Sequence, residues 1–346
     1  MYALSFIVVL GIVVFVHELG HFVAARLSGV RVYEFALGFG PRLWSRQVGD
    51  TIYAIRVLPL GGMCRLAGMD DSELGDEKVG PNDPSSFQNK PIWKKIFIVV
   101  AGPLMNFVLA VAILMGLFGV YGVPMATVTK VFDDSPAERA GFVEGDTIFS
   151  VNGKPVAGVA GFVSAVSTNW DRSVDVEVLR DHEHVIVTVV PQYDEEAEVG
   201  RIGVGLSESP VKGGVRGTAG EAVAYTFGVV DTTLSMLGAA LTGRAKADVS
   251  GPIGIAGMSA QAARAGFPSL MMLVALISIS LGLLNLMPVP VLDGGWVLLL
   301  LIEAIKGRPL SPEFEGALRF IGVALLVLLM VYATVSDISR LIVHRL

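Results

Sequence analysis

The sequence predicts a multi-pass α-helical membrane protein: four transmembrane helices, with a small extracytoplasmic mixed α/β domain inserted between the second and the third. Three observations carry the prediction. Hydrophobic residues make up 53% of the 346 and charged residues 17%, with a mean hydropathy of +0.64, so several segments belong in lipid. Four stretches stay apolar over the roughly 20 residues that cross about 30 Å of hydrocarbon. Between the second and third of these, continuous apolar runs give way to strict alternation, the signature of half-buried strands.

The first span is Ala3 to Ala25, inside a region where Met1 to Val16 carries no charged side chain. It lacks the basic start and small-x-small cleavage site of a secretory signal, so it is read as part of the mature chain. Ile96 to Val120 is the second span. Leu270 to Leu301 is the third, long and interrupted by Pro288 and Pro290, and Phe320 to Val335 with a few flanking residues is the fourth. The organisation expected is therefore residues 1–121 for two helices and a cytoplasmic membrane-associated hairpin, 124–216 for the inserted domain, 219–268 for an amphipathic helix and connecting segment, and 269–346 for the last two helices. In the inserted block, Ser173-Val-Asp-Val-Glu-Val-Leu and His184-Val-Ile-Val-Thr-Val-Val read as strands, and Asp194 to Glu198 as a short acidic loop. Its length of about 90 residues suits an autonomous domain.

In the 219–268 segment, Val223, Phe227, Val230, Leu234, Leu237 and Leu241 recur at spacings of four and three, one stripe of a helix. Such a helix lies on the outer membrane interface or against the spans, or packs on the inserted domain. A fifth crossing would place Asp231 near the bilayer centre at a cost of about 3 kcal/mol, so four crossings are expected.

Charge sets orientation and excludes one class of partner. The net charge is −6, and no segment offers the basic face that nucleic acid demands. Residues 26 to 95 carry ten Lys/Arg, clustered near the flanking helices, whereas 124 to 216 carry eight against fifteen acids. The positive-inside rule then puts the first loop in the cytoplasm and the inserted domain outside. Lys306 and Arg308 agree with a cytoplasmic turn, while Arg340 and Arg345 on the outer tail run against it. A single cysteine, Cys64, leaves no internal disulfide and no cysteine-based zinc site.

The chemistry sits in His17-Glu-Leu-Gly-His21. On a helix, two histidines four apart share a face and can hold one metal ion, and Glu18 beside them can take a proton from a metal-bound water. Catalytic zinc takes three protein ligands and keeps one open position. Asp293 is the candidate third ligand, the only charged residue between Leu270 and Leu301, where burial demands a cation. The alternative is an aspartate that caps the helix after Pro290. With four crossings the first and third spans run in the same direction, and His21 lies about 7 Å from the cytoplasmic end marked by Arg26. Both ligand sets then meet near the inner leaflet surface, where a short polar inlet supplies water; Asn285 and Asn106 are candidates to line it, Asn285 as a substrate contact.

Together these residues resemble the site-2 protease family of intramembrane zinc metalloproteases, the bacterial regulator-of-sigma-E protease branch. The resemblance runs through H-E-L-G-H at 17–21, G-F-G-P at 38–41, P-L-G-G at 59–62, G-P-L-M-N at 102–106, S-G-P-I-G-I at 250–255 and N-x-x-P-x-P-x-L-D-G at 285–294. It implies Zn2+ held by His17, His21 and Asp293, Glu18 as acid/base, Asn285 near the substrate, and location in a bacterial cytoplasmic membrane. It implies single-span transmembrane proteins as substrates, cut within the bilayer after a first protease has trimmed them and bound as an added strand beside a hairpin such as Thr51 to Arg65. The segment Val128 to Pro191, with S-P-A-E-R-A-G-F-V-E-G-D at 135–146, resembles a bacterial PDZ domain, which implies an extracytoplasmic filter or a site for a peptide tail. Trp296 stands where relatives often carry histidine. The competing readings are a catalytically inert PDZ membrane scaffold, in which the histidines are structural, and a transporter with a midplane metal, which the lack of an inverted repeat disfavours.

Overall fold

A computed structural model describes residues 2–69, 82–181, 183–195, 199–212, 217–242, 251–308 and 310–343. The end of the acidic loop at Glu198, Arg216, Ser250 of the S-G-P-I-G-I motif and Arg345 lie outside them. In chain order the elements are α1 (Tyr2–Leu27), β1 (Val32–Val48), β2 (Thr51–Leu66), α2 (Ile92–Tyr121), β3 (Val123–Val131), α3 (Pro136–Ala140), β4 (Thr147–Val151), β5 (Lys154–Pro155), α4 (Gly158–Ser167), β6 (Val174–Arg180), β7 (Glu183–Val189), β8 (Gln192–Asp194), β9 (Val199–Arg201), β10 (Val204–Val211), α5 (Gly217–Leu241), α6 (Pro252–Ala265), α7 (Phe267–Leu286), α8 (Asp293–Lys306) and α9 (Pro312–Val343). They form two compact units, residues 1–110 with 249–346, and residues 111–248.

In the first unit α1 packs against α6, α7 and the β1–β2 sheet. Its end is set by Gly29, whose φ of 73° lets Val30 N–H turn back to the carbonyl of Ala25 at 2.8 Å, closing the last carbonyls as a left-handed glycine cap does. β1 and β2 are long enough to fold over each other: residues 34–37 pair with 62–65 and also with 52–55, while 42–48 pair with 51–56. Among the described residues, 62–65 therefore have strand partners on one side only. Glu34, buried within this sheet, takes Arg42 at 2.8 Å and Arg56 at 2.6 Å, tying its strands together.

The stretch Leu270 to Leu301 is two helices, which corrects the single span expected there. The chain leaves α7 at Met287, whose ψ of 143° is the extended conformation that a following proline imposes. Residues 287–292 are irregular, and α8 starts at Asp293. α6, which no sequence pattern foretold, precedes α7 in the chain and packs against α1, α7 and α9. Its N-terminus is held by Asp337 of α9, whose carboxylate accepts the N–H groups of Gly251 at 3.1 Å and Gly254 at 2.8 Å, the role a cap residue plays locally.

In the second unit a sheet of order β10-β3-β4-β6-β7, with β5 on β4, carries α3 and α4. Val174, Val176 and Val178 of β6 are buried with Ile148, Phe162 and Val187, the period-two face that the alternation required. Asp146, fully buried, is gripped by Arg180 through two contacts of 2.8 and 2.7 Å. α5 packs against α4 and β5. Its buried side is made of small residues, Ala222, Thr226 and Ala239, whereas Val223, Phe227, Leu234 and Leu237 of the predicted stripe are exposed. Among the described residues five helices are long and apolar enough to cross a membrane: Leu4–Leu27, Ile92–Tyr121, Gly217–Ala240, Phe267–Leu286 and Glu313–Ser339. α5 is the one beyond the four expected.

Candidate metal centre

α1 is continuous through residues 17 to 21, so His17 and His21 stand one turn apart on one face, with ring centroids separated by 4.8 Å. Their Nε2 atoms are 3.2 Å from each other. Asp293 Oδ2 lies 3.2 Å from His17 Nε2, and Asp293 Oδ1 3.5 Å from His21 Nε2. Zinc at bond lengths of about 2.0–2.1 Å makes a tetrahedron whose edge is about 3.3 Å, which these separations match. Two imidazole nitrogens and a carboxylate point lone pairs at a common centre; without a cation such a cluster repels itself. Donor type, number and spacing all fit a divalent metal.

The neighbours fix the ligand atoms. His21 Nδ1 donates to the carbonyl of Ile98 in α2 at 2.9 Å, which leaves the lone pair on Nε2, the nitrogen that faces Asp293. Asn106, fully buried, sets its amide 3.3 Å from His17 Nδ1. Glycines make this crowding feasible. A Cβ on Gly102 would overlap the ring of His21, one on Gly20 would overlap the carbonyl of Ala101, and one on Gly62 would lie 2.5 Å from Cγ of Glu18. The backbones of α1, α2 and β2 thus approach one another as closely as backbone allows, at the level of the histidines.

Asp293 arrives by a different route. Leu292, not Asp293, is the N-cap of α8 and makes no side-chain cap; the carboxylate turns to the histidines instead, which rules out the capping alternative. Gly294 and Gly295 leave space for the carbonyls of Leu286 and Val289, and Gly322 of α9 leaves space for that of Pro290. Val291 sits at φ 86°, a conformation that costs a β-branched residue about 1–3 kcal/mol. The loop that delivers the carboxylate is therefore held against its own preference by α8 and α9. Three residues past Asp293, Trp296 packs beside the cluster of Ala24, Ala25 and Ile98, and Arg319 stacks on it at 4.7 Å.

Glu18 is next to the cluster but outside it. The backbone N–H of Cys64, in the one-sided strand 62–65, reaches its carboxylate. Cys64 itself is an inert thiol, since burial pushes its pKa up, with the charge of Glu18 adding to the effect. Asn285 lies in the last turn of α7, half-buried, and is not among the groups that contact the histidines. The structure thus joins His17, His21 and Asp293, sets Glu18 alongside, and adds Asn106 and the carbonyl of Ile98. The partnership of Asn106 with His17 was missed in the sequence, although a buried amide in a helix of this apolarity is a signal of a polar partner.

Three relatives place the geometry in a wider set. The chain is 34% identical to the regulator of sigma-W protease RasP of Bacillus subtilis, over 98% of each protein. It is 36% identical to a putative zinc metalloprotease of Rhizobium meliloti, over 97% of the chain and 96% of the relative, and 36% identical to one of Clostridium acetobutylicum, over 96% of each. The Bacillus alignment runs to 414 positions, more than the 346 residues here, so that relative carries segments this chain lacks. The model of peptidase family M50 matches residues 5–329, a range that includes all three residues of the cluster, and the chain belongs to this family as a zinc metalloprotease of the site-2 protease type.

Proposed function

We propose that the protein is an intramembrane endopeptidase that cuts single-span membrane proteins, with zinc held by His17, His21 and Asp293 and with Glu18 as acid/base. One observation carries the reading: three ligand atoms at tetrahedral spacing, two on α1, a helix long and apolar enough for lipid, and one at the start of α8, with a carboxylate beside them. When bound, zinc polarises a peptide carbonyl and lowers the pKa of a water ligand towards neutrality. Glu18 accepts a proton on the attack side and returns it to the leaving nitrogen, held in place by the N–H of Cys64. A helical substrate hides its peptide bonds in its own hydrogen bonds, so it must be drawn out. The open side of strand 62–65, which borders Glu18, supports strand addition there. Asn285, half-buried at the break before Asp293, has an amide suited to the substrate backbone.

The regulator function in the name of the Bacillus relative supports a substrate of regulatory kind, such as an anti-sigma factor; signal-peptide remnants are the other single-span class. Basic residues near the first two helices support a centre near the cytoplasmic face and the sheet-rich segment outside, as a PDZ domain that filters substrates or receives a peptide tail. α5 lies along β5 and α4, with Asp231 paired to Lys154 at 2.8 Å. A helix tied to a folded sheet through its middle supports four crossings, with its exposed stripe towards the lipid surface. The test is Glu18→Gln in detergent with a model transmembrane substrate: zinc content stays near one per chain and cleavage falls at least about a thousandfold. Undiminished cleavage would sink the mechanism.

A further inference from the structure

Asn106 is three residues past Pro103 in α2, with 0% of its surface exposed. α7 presses on it through small residues. Ser278 Oγ donates to its backbone carbonyl at 2.8 Å, and a Cβ on Gly282 would stand 3.3 Å from its own Cβ. The amide is thereby locked between α7 and the ring of His17, with Nδ2 3.3 Å from Nδ1. In that orientation Oδ1 is buried with no hydrogen-bond partner among the described residues. The two ends of a carboxamide have nearly the same shape, so the hydrogen-bond network has to decide which one faces the ring.

The ring decides it. His17 offers Nε2 to the cluster, at 3.2 Å from both Asp293 Oδ2 and His21 Nε2. A neutral imidazole that gives its Nε2 lone pair to a metal carries its proton on Nδ1 and needs an acceptor there. Turning the amide by 180° supplies it, because Oδ1 then receives the Nδ1–H. His21 has the same arrangement with a different acceptor, the carbonyl of Ile98 at 2.9 Å.

We propose that Asn106 is a positioning residue for the reaction: docked on α7 by Ser278 and Gly282, it accepts the Nδ1 proton of His17 and so aims Nε2 at the metal. This rests on the reading of His17 as a zinc ligand. α2 then holds both histidines, one through a backbone carbonyl and one through a side chain, and α7 sets the second of these.

An acceptor role and a packing role predict opposite orders for two substitutions. Asn106→Leu keeps the volume and removes the acceptor; Asn106→Asp keeps the acceptor and adds a charge that packing alone would reject. Full-length protein in detergent is titrated with a zinc chelator, alongside wild type and His17→Ala. The expected result is zinc affinity 10- to 100-fold weaker in Asn106→Leu, the range for loss of such a partner, and within about threefold of wild type in Asn106→Asp. Asn106→Leu at wild-type affinity, or equal losses in both, overturns the proposal. If neither variant folds, Ser278→Ala decides: several-fold faster zinc release supports it and an unchanged rate overturns it. Wild type that binds no zinc, or His17→Ala that keeps it, refutes the ligand reading instead.

Discussion

Each unit of the protein sets an aspartate among other side chains, Asp146 fully buried and Asp293 partly so, and the two are treated in opposite ways. In the sheet-rich unit, Asp146 is fully enclosed and meets the guanidinium of Arg180 at both oxygens, with a further N–H from Val143 at 3.0 Å. In the helical unit, Asp293 faces two imidazole nitrogens at 3.2 and 3.5 Å. The first carboxylate is closed, because the chain provides the opposite charge. The second is open, because no cationic Lys or Arg pairs with it among the described residues, and under the proposed reading a metal ion completes it. Glu34, between Arg42 and Arg56, and Asp337, on the N–H groups that open α6, are closed in the manner of Asp146. A closed acid holds a fold together; an open one in an apolar chain marks where a cation is recruited.

The largest expected effects break this comparison if they fail. Asp293→Ala or His17→Ala lowers zinc from about one per chain to none and removes cleavage, measured by metal analysis and by release of a transmembrane peptide. Asp146→Ala leaves zinc untouched and destabilises the sheet-rich unit by about 3 kcal/mol, since Arg180 loses its partner; thermal unfolding reads that loss. If Asp146→Ala shed zinc as well, the distinction between closed and open acids would fail.

The legibility of the two kinds follows from how far their information is spread along the chain. The histidine pair is local: one turn of one helix specifies the shared face, and the apolar surroundings give it meaning. Asp293 was also visible, as the single charge in an apolar run, although the prolines told of a break without telling that α8 begins on the candidate ligand itself. What stayed hidden is information held between distant segments. Gly102 matters because the His21 ring lies over it, and Gly62 because Glu18 does; nothing within either motif says so. α6 was hidden for the same reason, as its N-terminus is completed by Asp337, which lies in another helix. Periodicity found the stripe of α5 but not its direction, because small residues can bury against a sheet as well as large ones and leave the large ones exposed.

The glycines offer the next effect in size, and they sharpen the idea that an open site tolerates no intrusion. Gly102→Ala puts a methyl group where the His21 imidazole lies, and the ring has to move. A displacement near 1 Å at a reacting centre costs about a hundredfold in rate, together with weaker zinc binding. Gly11→Ala in α1, where a Cβ would meet nothing within 4 Å, is the control and leaves both unchanged. Equal behaviour of the two would mean that the close approach of α1 and α2 is incidental to the centre.

The smallest effect concerns a closed acid and is set by pH. Burial disfavours the charge of Glu34, yet the hydrogen bonds from Arg42 and Arg56 outweigh it and hold its carboxyl below the ordinary glutamate value of 4.5. A group whose folded pKa is depressed contributes stability that is whole above its unfolded value and is lost as pH falls through its folded one. The β1–β2 sheet should therefore keep constant protection above about pH 4.5 and loosen only below it, by about 1 kcal/mol given that Arg42 is partly in solvent. Amide exchange at Tyr53 and Ala54, which pair with β1 on both sides, measures this, and Glu34→Gln should flatten the acid limb while lowering protection at neutral pH. A loosening that begins well above pH 4.5, or one that survives Glu34→Gln, would mean that the arginines do not close this carboxylate, and that Glu34 belongs with Asp293 rather than with Asp146.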